Sequence, residues 1–196
     1  MTAAATLEKA EGRWLGERHG LNLAVPVREA KGTGKLIREL NSAHLIEGVA
    51  IARMQLWPDD RGYFLEVMRQ GQGLAAELGS QVQVSSALSY PGTIKALHYH
   101  FAQTDLWVPV RGQLQVCLVD LRLGSATYGA CNTMYIGSLQ PWQVLIPPGV
   151  GHGYKVIGDG AAVLCYVTNR FYNPEDEGRL AYDDSRINYD WETQHR

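Results

Sequence analysis

Four polar side chains in the middle of the chain have the types and spacing that metal binding or proton transfer requires. His98 and His100 are separated by one residue, Asp105 follows shortly after, and His152 lies in a later Pro-Gly turn. The sequence around the first pair is rich in Val, Leu and Trp, which is typical of a β-strand. Residues two apart in a strand point to the same face, so His98 and His100 are expected to project together. Three imidazoles and a carboxylate suit Fe, Mn, Ni, Zn or Co.

Length and composition exclude several classes of protein. The 196 residues, 45% hydrophobic and 19% charged, predict one globular domain with a substantial core. A formal charge of −2 gives no electrostatic case for binding nucleic acid or an anionic membrane. Cys117, Cys131 and Cys165 form no CxxC pair, which favours free thiols in a reducing compartment. The sequence contains neither a secretory signal nor a membrane-spanning apolar run, so we expect a cytoplasmic protein.

Short strands separated by Gly- or Pro-containing turns follow one another through most of the chain. The predicted strands are 49–56, 61–69, 82–88, 93–101, 106–110, 114–120, 143–146, 152–156 and 163–169, with a loop and short helix at 71–79. Many short strands without intervening helices indicate an all-β sandwich or barrel. In the first 44 residues we predict a helix at 6–15, a linker at 30–33 and a helical turn at 35–40. We therefore divide the chain into a partly helical N-terminal extension, 1–44, and an all-β domain, 45–196.

The four polar residues also belong to two motifs. The first runs from Gly92 to Gly112 as G-x5-H-x-H-x4-D-x6-G, and the second runs from Pro147 to His152 as P-x-G-x2-H. Together they resemble the two cupin motifs, with Asp105 where cupins usually have Glu. The resemblance implies a jelly-roll barrel, a double-stranded β-helix, in which two strands and the Pro-Gly turn direct ligands inward.

Further motifs occur in a fixed order over about 150 residues. They are Asp60-Arg-Gly-Tyr-Phe-Leu-Glu66, Gly92–His98, Val119-Asp-Leu-Arg122 with Ser125–Tyr128, Ile146–Tyr154, Tyr166 with Phe171–Pro174, and Tyr182–Asp184 ending at Trp191. In order and spacing the chain resembles the dTDP-4-dehydrorhamnose 3,5-epimerase family, itself a cupin fold, as a divergent member. The resemblance implies an epimerase or related isomerase of a nucleotide-linked 4-keto-6-deoxy sugar. Such an enzyme abstracts and returns a proton at C3, C5 or both without a cofactor.

The same resemblance implies a role for each matching side chain. His98 is the base that removes the proton next to the 4-keto group, Asp184 orients His98, and Tyr166 returns a proton from the opposite face. Substrate binding is implied for Arg61, Phe64, Glu66, Gln83, Lys95 and His152. The family exchanges the strand of Arg61 between two subunits, so we expect a homodimer that binds a nucleotide sugar.

Two departures from the family pattern matter for the chemistry. The usual run Arg-Gly-Leu-His-Tyr-Gln is here Lys95-Ala-Leu-His-Tyr-His100, and Asp105 stands where the family has a lysine that holds the enolate oxygen. An acidic residue at that position repels an enolate. A metal held by His98, His100, Asp105 and His152 is an alternative source of positive charge. A metal-bound His98, however, cannot also act as a free base.

Other readings of these residues stay open at the level of sequence. Instead of a cofactor-free epimerase, the chain could be a metal-dependent cupin dioxygenase or isomerase that uses the four-ligand site. A third possibility is a sugar-binding cupin without catalytic activity. Asp105 could also be neutralised by Lys95 or Arg111 in an ordinary salt bridge, and Tyr166 could be a core residue after the apolar run 161–165.

Overall fold

The computed structural model describes residues 12–192, which form strands and turns with one short 3₁₀ helix, Gly73–Leu78. The strands are Arg13–Arg18 (β1), Leu21–Val25 (β2), Lys35–Leu36 (β3), Ala50–Arg53 (β4), Leu56–Asp59 (β5), Gly62–Leu65 (β6), Gln83–Ser89 (β7), Ile94–His100 (β8), Asp105–Arg111 (β9), Gln113–Asp120 (β10), Cys131–Gly137 (β11), Trp142–Ile146 (β12), Val150–Ile157 (β13), Ala162–Thr168 (β14) and Glu177–Arg179 (β15). Across this part of the chain, no helix is long and apolar enough to cross a lipid bilayer.

Two sheets form the barrel. One sheet has six strands in the order β15-β8-β13-β10-β11-β3, and the other has five strands in the order β4-β12-β9-β14-β7. Their inner faces share a core to which β10 contributes Leu114, Val116 and Leu118, and the five-stranded sheet contributes Val144 and Leu164. Burying each such side chain contributes about 1.5–3 kcal/mol. This core fills part of the barrel interior and leaves the rest for a site.

The outer face of the six-stranded sheet is also buried. On β10, Cys117 and Val119 alternate with the inward residues and pack in a second cluster with Leu23 of β2. Tyr189 and Trp191, near the end of the described chain, complete this cluster. The 3₁₀ helix covers the outer face of the five-stranded sheet in a third cluster. Because β8 and β10 are covered on both faces, the side chains that β8 directs inward are held on a rigid support.

The predicted all-β cupin-type barrel is confirmed, whereas helix is absent from residues 12–44. This segment contains β1, β2, β3 and turns, and β3 pairs in parallel with β11. The predicted helical turn at 35–40 is therefore wrong. Most of the predicted helix at 6–15 lies outside the described residues, and its final residues enter β1. Pairing and packing on the barrel outweigh the weak local helix preference of such short segments.

A buried carboxylate at the end of β10 organises the loop that follows this strand. Asp120 accepts hydrogen bonds from Arg122 Nε at 2.8 Å, Ser125 Oγ at 2.6 Å and Thr127 Oγ1 at 2.7 Å. Burial alone raises the pKa of Asp120, but these donors outweigh it and hold the pKa below the usual 3.8. The network therefore stabilises the fold above pH 3.8, and this contribution is lost as the pH falls through the lower folded-state pKa.

We expect Asp120→Asn to lower the free energy of unfolding at pH 7 by about 3–5 kcal/mol, because Arg122 keeps a partly buried charge without its partner. The difference from the unmodified protein should shrink as the pH falls below the folded-state pKa of Asp120. Urea unfolding at pH 7 and at successively lower pH values measures both effects. Asp159→Asn, in an exposed turn, is the matched control and should leave stability unchanged. A pH-independent difference would contradict this account.

Candidate active site

A cavity of about 440 Å³ opens between the inner faces of the two sheets. This volume lies within the range of about 300–1,000 Å³ that is usual for small-molecule sites. The six-stranded sheet contributes Lys95, His98, His100, Tyr154, Glu177 and Arg179, and the five-stranded sheet contributes Gln83, Ser85, Ala87, Asp105, Trp107, Leu164, Tyr166 and Thr168. Gln103 and Tyr172 complete the lining from loops. Most of the ionisable and hydroxyl groups in the predicted site thus meet in one place.

His98 and His100 both face this cavity, as the two-residue period of β8 predicts. Between them Tyr99 points the other way and packs in the outer-face core. His98 pairs with His152 on β13, and their ring centroids lie 5.2 Å apart. Burial lowers the pKa of His98 to about 4, and the nearby His152 lowers it as well, while Glu177 and Asp105 act in the opposite direction. His98 is therefore neutral at pH 7 and able to accept a proton.

Tyr166 lines the same cavity from the opposite sheet. It lies on β14, in register with Ser85 of β7 and Trp107 of β9. Burial raises the pKa of the Tyr166 phenol, so the side chain keeps its proton at neutral pH. A neutral imidazole and a protonated phenol therefore face one cavity from two different sheets.

The carboxylates that act on His98 are Glu177 and Asp105. β15 pairs with β8 in a register that sets Glu177 opposite His100 and Arg179 opposite His98. Arg179 Nε donates to Glu177 Oε1 at 2.7 Å. The last strand predicted from the sequence is 163–169, so neither residue was identified, although their i,i+2 spacing is that of one strand face.

Asp184, predicted to orient His98, has a different contact. It lies in the turn after β15, where its Oδ1 accepts a hydrogen bond from the backbone N–H of Arg186 at 2.9 Å. Asp184 is not among the residues that line the cavity. The structure therefore does not bring Asp184 to His98 and offers Glu177 as the nearby carboxylate instead.

Three of the four predicted metal ligands come together. One ligand atom each from His100, Asp105 and His152 lies within 4.8 Å of the other two, and all three residues are buried. His152 Nε2 is 3.6 Å from Asp105 Oδ2, and His100 Nε2 is 4.0 Å from Asp105 Oδ1. His98 is outside this group. Among the described residues, the ion-pair partners of Asp105 within 4 Å are these two histidines, and not Lys95 or Arg111.

The sequence of this chain matches the family model described as dTDP-4-dehydrorhamnose 3,5-epimerase over residues 43–196. The chain belongs to this epimerase family. The spore coat polysaccharide biosynthesis protein SpsL of Bacillus subtilis is 42% identical over 154 residues, 78% of this chain and 100% of that protein. The probable low-salt glycan biosynthesis epimerase Agl13 of Haloferax volcanii is 36% identical over 149 residues, 74% of this chain and 94% of that protein.

Solved structures of the epimerase family agree with the fold. The dTDP-6-deoxy-D-glucose-3,5-epimerase of Legionella pneumophila, in complex with dTDP-4-keto-L-rhamnose, superimposes with a TM-score of 0.68 at 27% identity. The alignment covers 80% of this chain and 84% of that chain. The dTDP-4-dehydrorhamnose 3,5-epimerase of Elizabethkingia anophelis gives a TM-score of 0.64 at 29% identity, covering 83% and 88%. The residues that the family model matches, 43–196, include the strands that build the cavity.

The substrate-binding residues expected from the epimerase family lie in three places. Gln83 and Lys95 line the cavity, and Gln83 Oε1 accepts a hydrogen bond from the backbone N–H of Tyr172 at 3.0 Å, which secures the rim. His152 is 2% exposed and lies behind His98 and His100 rather than on the cavity wall. Gln83 and Lys95 are therefore positioned to meet a ligand directly.

Arg61, Phe64 and Glu66 lie away from this cavity, on or just after the β5–β6 hairpin. The Arg61 side chain is 84% exposed and pairs with Asp59 at 2.5 Å. Phe64 is 68% exposed and contacts Trp57, with ring centroids 5.6 Å apart. Glu66 pairs with Arg69 at 2.7 Å. Within one protomer these three residues do not join the site, so their predicted role depends on a second subunit.

Proposed function

We propose that this protein inverts C3, C5 or both in a nucleotide-linked 4-keto-6-deoxy sugar. The observation that carries the proposal is that His98 and Tyr166 line one cavity from opposite sheets. Inversion at carbon needs a base on one face and an acid on the other. The solved relative in complex with dTDP-4-keto-L-rhamnose supports a deoxynucleoside diphosphate sugar as the substrate class.

In the proposed reaction, His98 removes the proton from the carbon next to the ketone. The electron pair of that C–H bond forms a carbon–carbon double bond, and the carbonyl π pair moves onto oxygen to give an enolate. Glu177 stabilises the imidazolium, since its charge favours protonated His98. The Tyr166 hydroxyl then delivers a proton to the other face and the ketone re-forms. Acid–base catalysis by such groups contributes about 10²–10⁴-fold each.

We further propose a homodimer in which the β5–β6 hairpin of one protomer reaches the cavity of its partner. Arg61 is the cation that this hairpin would present to the substrate diphosphate, and its exposure leaves it available. The exposed rings of Trp57 and Phe64 support burial of the hairpin against another surface. On the strand that forms one edge of the five-stranded sheet, β7, Val84 and Leu88 are each 59% exposed, which supports pairing along this edge.

Complementation tests this arrangement. Arg61→Ala and His98→Asn are each expected to be impaired alone, yet their co-expression should restore activity. In a mixed dimer, one site combines an intact His98 with the partner's Arg61, so about one quarter of all sites should be complete after random pairing. Rates on the nucleotide sugar for singly expressed and co-expressed variants measure the effect. If Arg61 serves the site of its own chain, co-expression will restore nothing.

Solvent exchange tests the reaction itself. The protein is incubated in D₂O with dTDP-4-keto-6-deoxyglucose, and the sugar is followed by proton NMR. We expect the C3 or C5 proton signal to disappear and the inverted product to form. Failure of both carbons to exchange, with this and other 4-keto nucleotide sugars, would overturn the proposed function.

A further inference from the structure

A buried imidazole nitrogen beside the cavity lacks a hydrogen-bond partner. His152 Nδ1 lies 2.9 Å from the carbonyl oxygen of Val150. A carbonyl can only accept, so Nδ1 carries the proton and Nε2 of the neutral ring presents a lone pair. Within residues 12–192, His152 Nε2 finds no hydrogen-bond partner, and it faces Asp105 Oδ2 at 3.6 Å. A buried polar atom left in this way costs about 1–3 kcal/mol.

The groups around His152 Nε2 present further lone pairs. His100 Nε2 and Asp105 Oδ1 are joined by the Gln103 side-chain amide, at 3.2 Å and 2.7 Å. His100 is 7% and Asp105 is 5% exposed, and both line the inner part of the cavity. Two imidazole nitrogens and a carboxylate thus converge, with one amide as their donor. This arrangement fits a cation better than it fits a hydrogen-bonded core.

We propose that His100, Asp105 and His152 bind one divalent transition-metal ion and that His98 stays outside the ligand set. Metal bonds of about 2.0–2.2 Å at tetrahedral angles place ligand atoms about 3.4 Å apart. His152 and His100 face different oxygens of Asp105, at 3.6 Å and 4.0 Å, and the three ligand atoms lie within 4.8 Å of one another. Binding of one ion therefore requires these side chains to move inward. Two imidazoles and a carboxylate suit such ions, and three protein ligands leave positions open toward the cavity.

The part that this ion plays in catalysis rests on the proposed function. Asp105 replaces the lysine that the epimerase family is expected to place beside the enolate oxygen, so the side chain at this position adds a negative charge. The metal site supplies the missing positive charge as a Lewis acid. Because His98 is not a ligand, its lone pair remains available for the substrate proton. Asp105 thus takes the place of the lysine, and together with His100 it provides two of the three ligands of the proposed site.

Cobalt binding tests the site without any substrate. The full-length protein is stripped with chelator and titrated with Co²⁺, followed by visible absorption and calorimetry. We expect one saturable site in the unmodified protein and in His98→Asn. Asp105→Asn and His100→Gln should each bind more than about 100-fold more weakly, because even residues that only orient ligands change affinity by 10–100-fold. Thermal unfolding verifies that each variant is folded.

Each result decides between specific arrangements. Absence of a saturable cobalt site in the folded, unmodified protein overturns the metal site. Equal loss of binding in His98→Asn overturns the three-ligand arrangement, because His98 would then be a fourth ligand. Deuterium exchange into the sugar should fall about 100-fold on stripping and recover on adding metal. If cobalt binds but deuterium exchange does not depend on metal, the catalytic role of the ion is overturned. If cobalt binds and no nucleotide sugar exchanges deuterium, the proposed function is overturned and the metal site stands.

Discussion

Replacing His98 by Asn is expected to lower the rate of sugar epimerisation by about 10³-fold, within the usual range for a general base. Asn is polar and smaller than His, and it cannot take up the proton. Burial holds the pKa of His98 at about 4, so the unmodified side chain is in its basic form at neutral pH. Exchange of solvent deuterium into the sugar should fall with the rate of inversion. Steady-state rates and NMR of the sugar protons measure the two effects on the same sample.

A second histidine provides the control for His98→Asn. His44 is exposed and outside the cavity lining, so His44→Asn should keep the rate of the unmodified protein. Binding of the nucleotide sugar to His98→Asn should change little, because Asn is polar and no larger than His. A variant that retained a tenth of the rate or more would show that another group removes the proton.

Sequence periodicity predicted the elements that carry the proposed base, but not every element around them. On β8 the alternation of His98, Tyr99 and His100 indicated correctly which side chains turn inward. β11 was not predicted, because two consecutive polar residues, Asn132 and Thr133, interrupt its apolar pattern. In the fold, both are buried and bonded to distant segments, Asn132 Oδ1 to the backbone N–H of Ile46 and Thr133 Oγ1 to the carbonyl of Thr33. Such partners, about 90–100 residues away, leave no local signal.

The lack of a local sequence signal also explains why Glu177 was not identified as the carboxylate near His98. Along the chain, Asp184 and Glu177 are similarly far from His98, so spacing alone does not distinguish them. The antiparallel pairing of β15 with β8 is what places Glu177 at the cavity. Three residues of strand carry too little pattern to be recognised without their partner.

The sequence motifs predicted four converging side chains, of which the structure brings three together. Two histidines separated by one residue share a face, yet their Cα atoms are still about 6.6 Å apart along a strand. Whether both rings reach one ion therefore depends on rotamers and on the strand opposite. Here His152 stacks edge-on to His98, while its Nε2 points at Asp105. The sequence identified the four residues, and the pairing of the strands brings His100, Asp105 and His152 together.

Tyr166→Phe is expected to separate proton exchange from inversion. Phe keeps the ring packing on β14 but has no proton to deliver, so inversion should slow by about 10²–10³-fold. His98 can still remove the substrate proton, exchange it with solvent and return deuterium to the same face. The ratio of deuterium incorporation to inverted product, measured by NMR in D₂O, should therefore rise sharply.

Another tyrosine of the same cavity makes this test specific. Tyr154 also lines the cavity, but its hydroxyl lies 3.0 Å from Ser89 Oγ, so Tyr154→Phe should leave the ratio of exchange to inversion unchanged. In a double variant that lacks both His98 and the Tyr166 hydroxyl, exchange and inversion should disappear together. If Tyr166→Phe slowed exchange and inversion equally, Tyr166 would be a positioning or packing residue. If it slowed neither, another group would deliver the proton to the second face. The position of His98 and Tyr166 on opposite sheets would then not explain inversion.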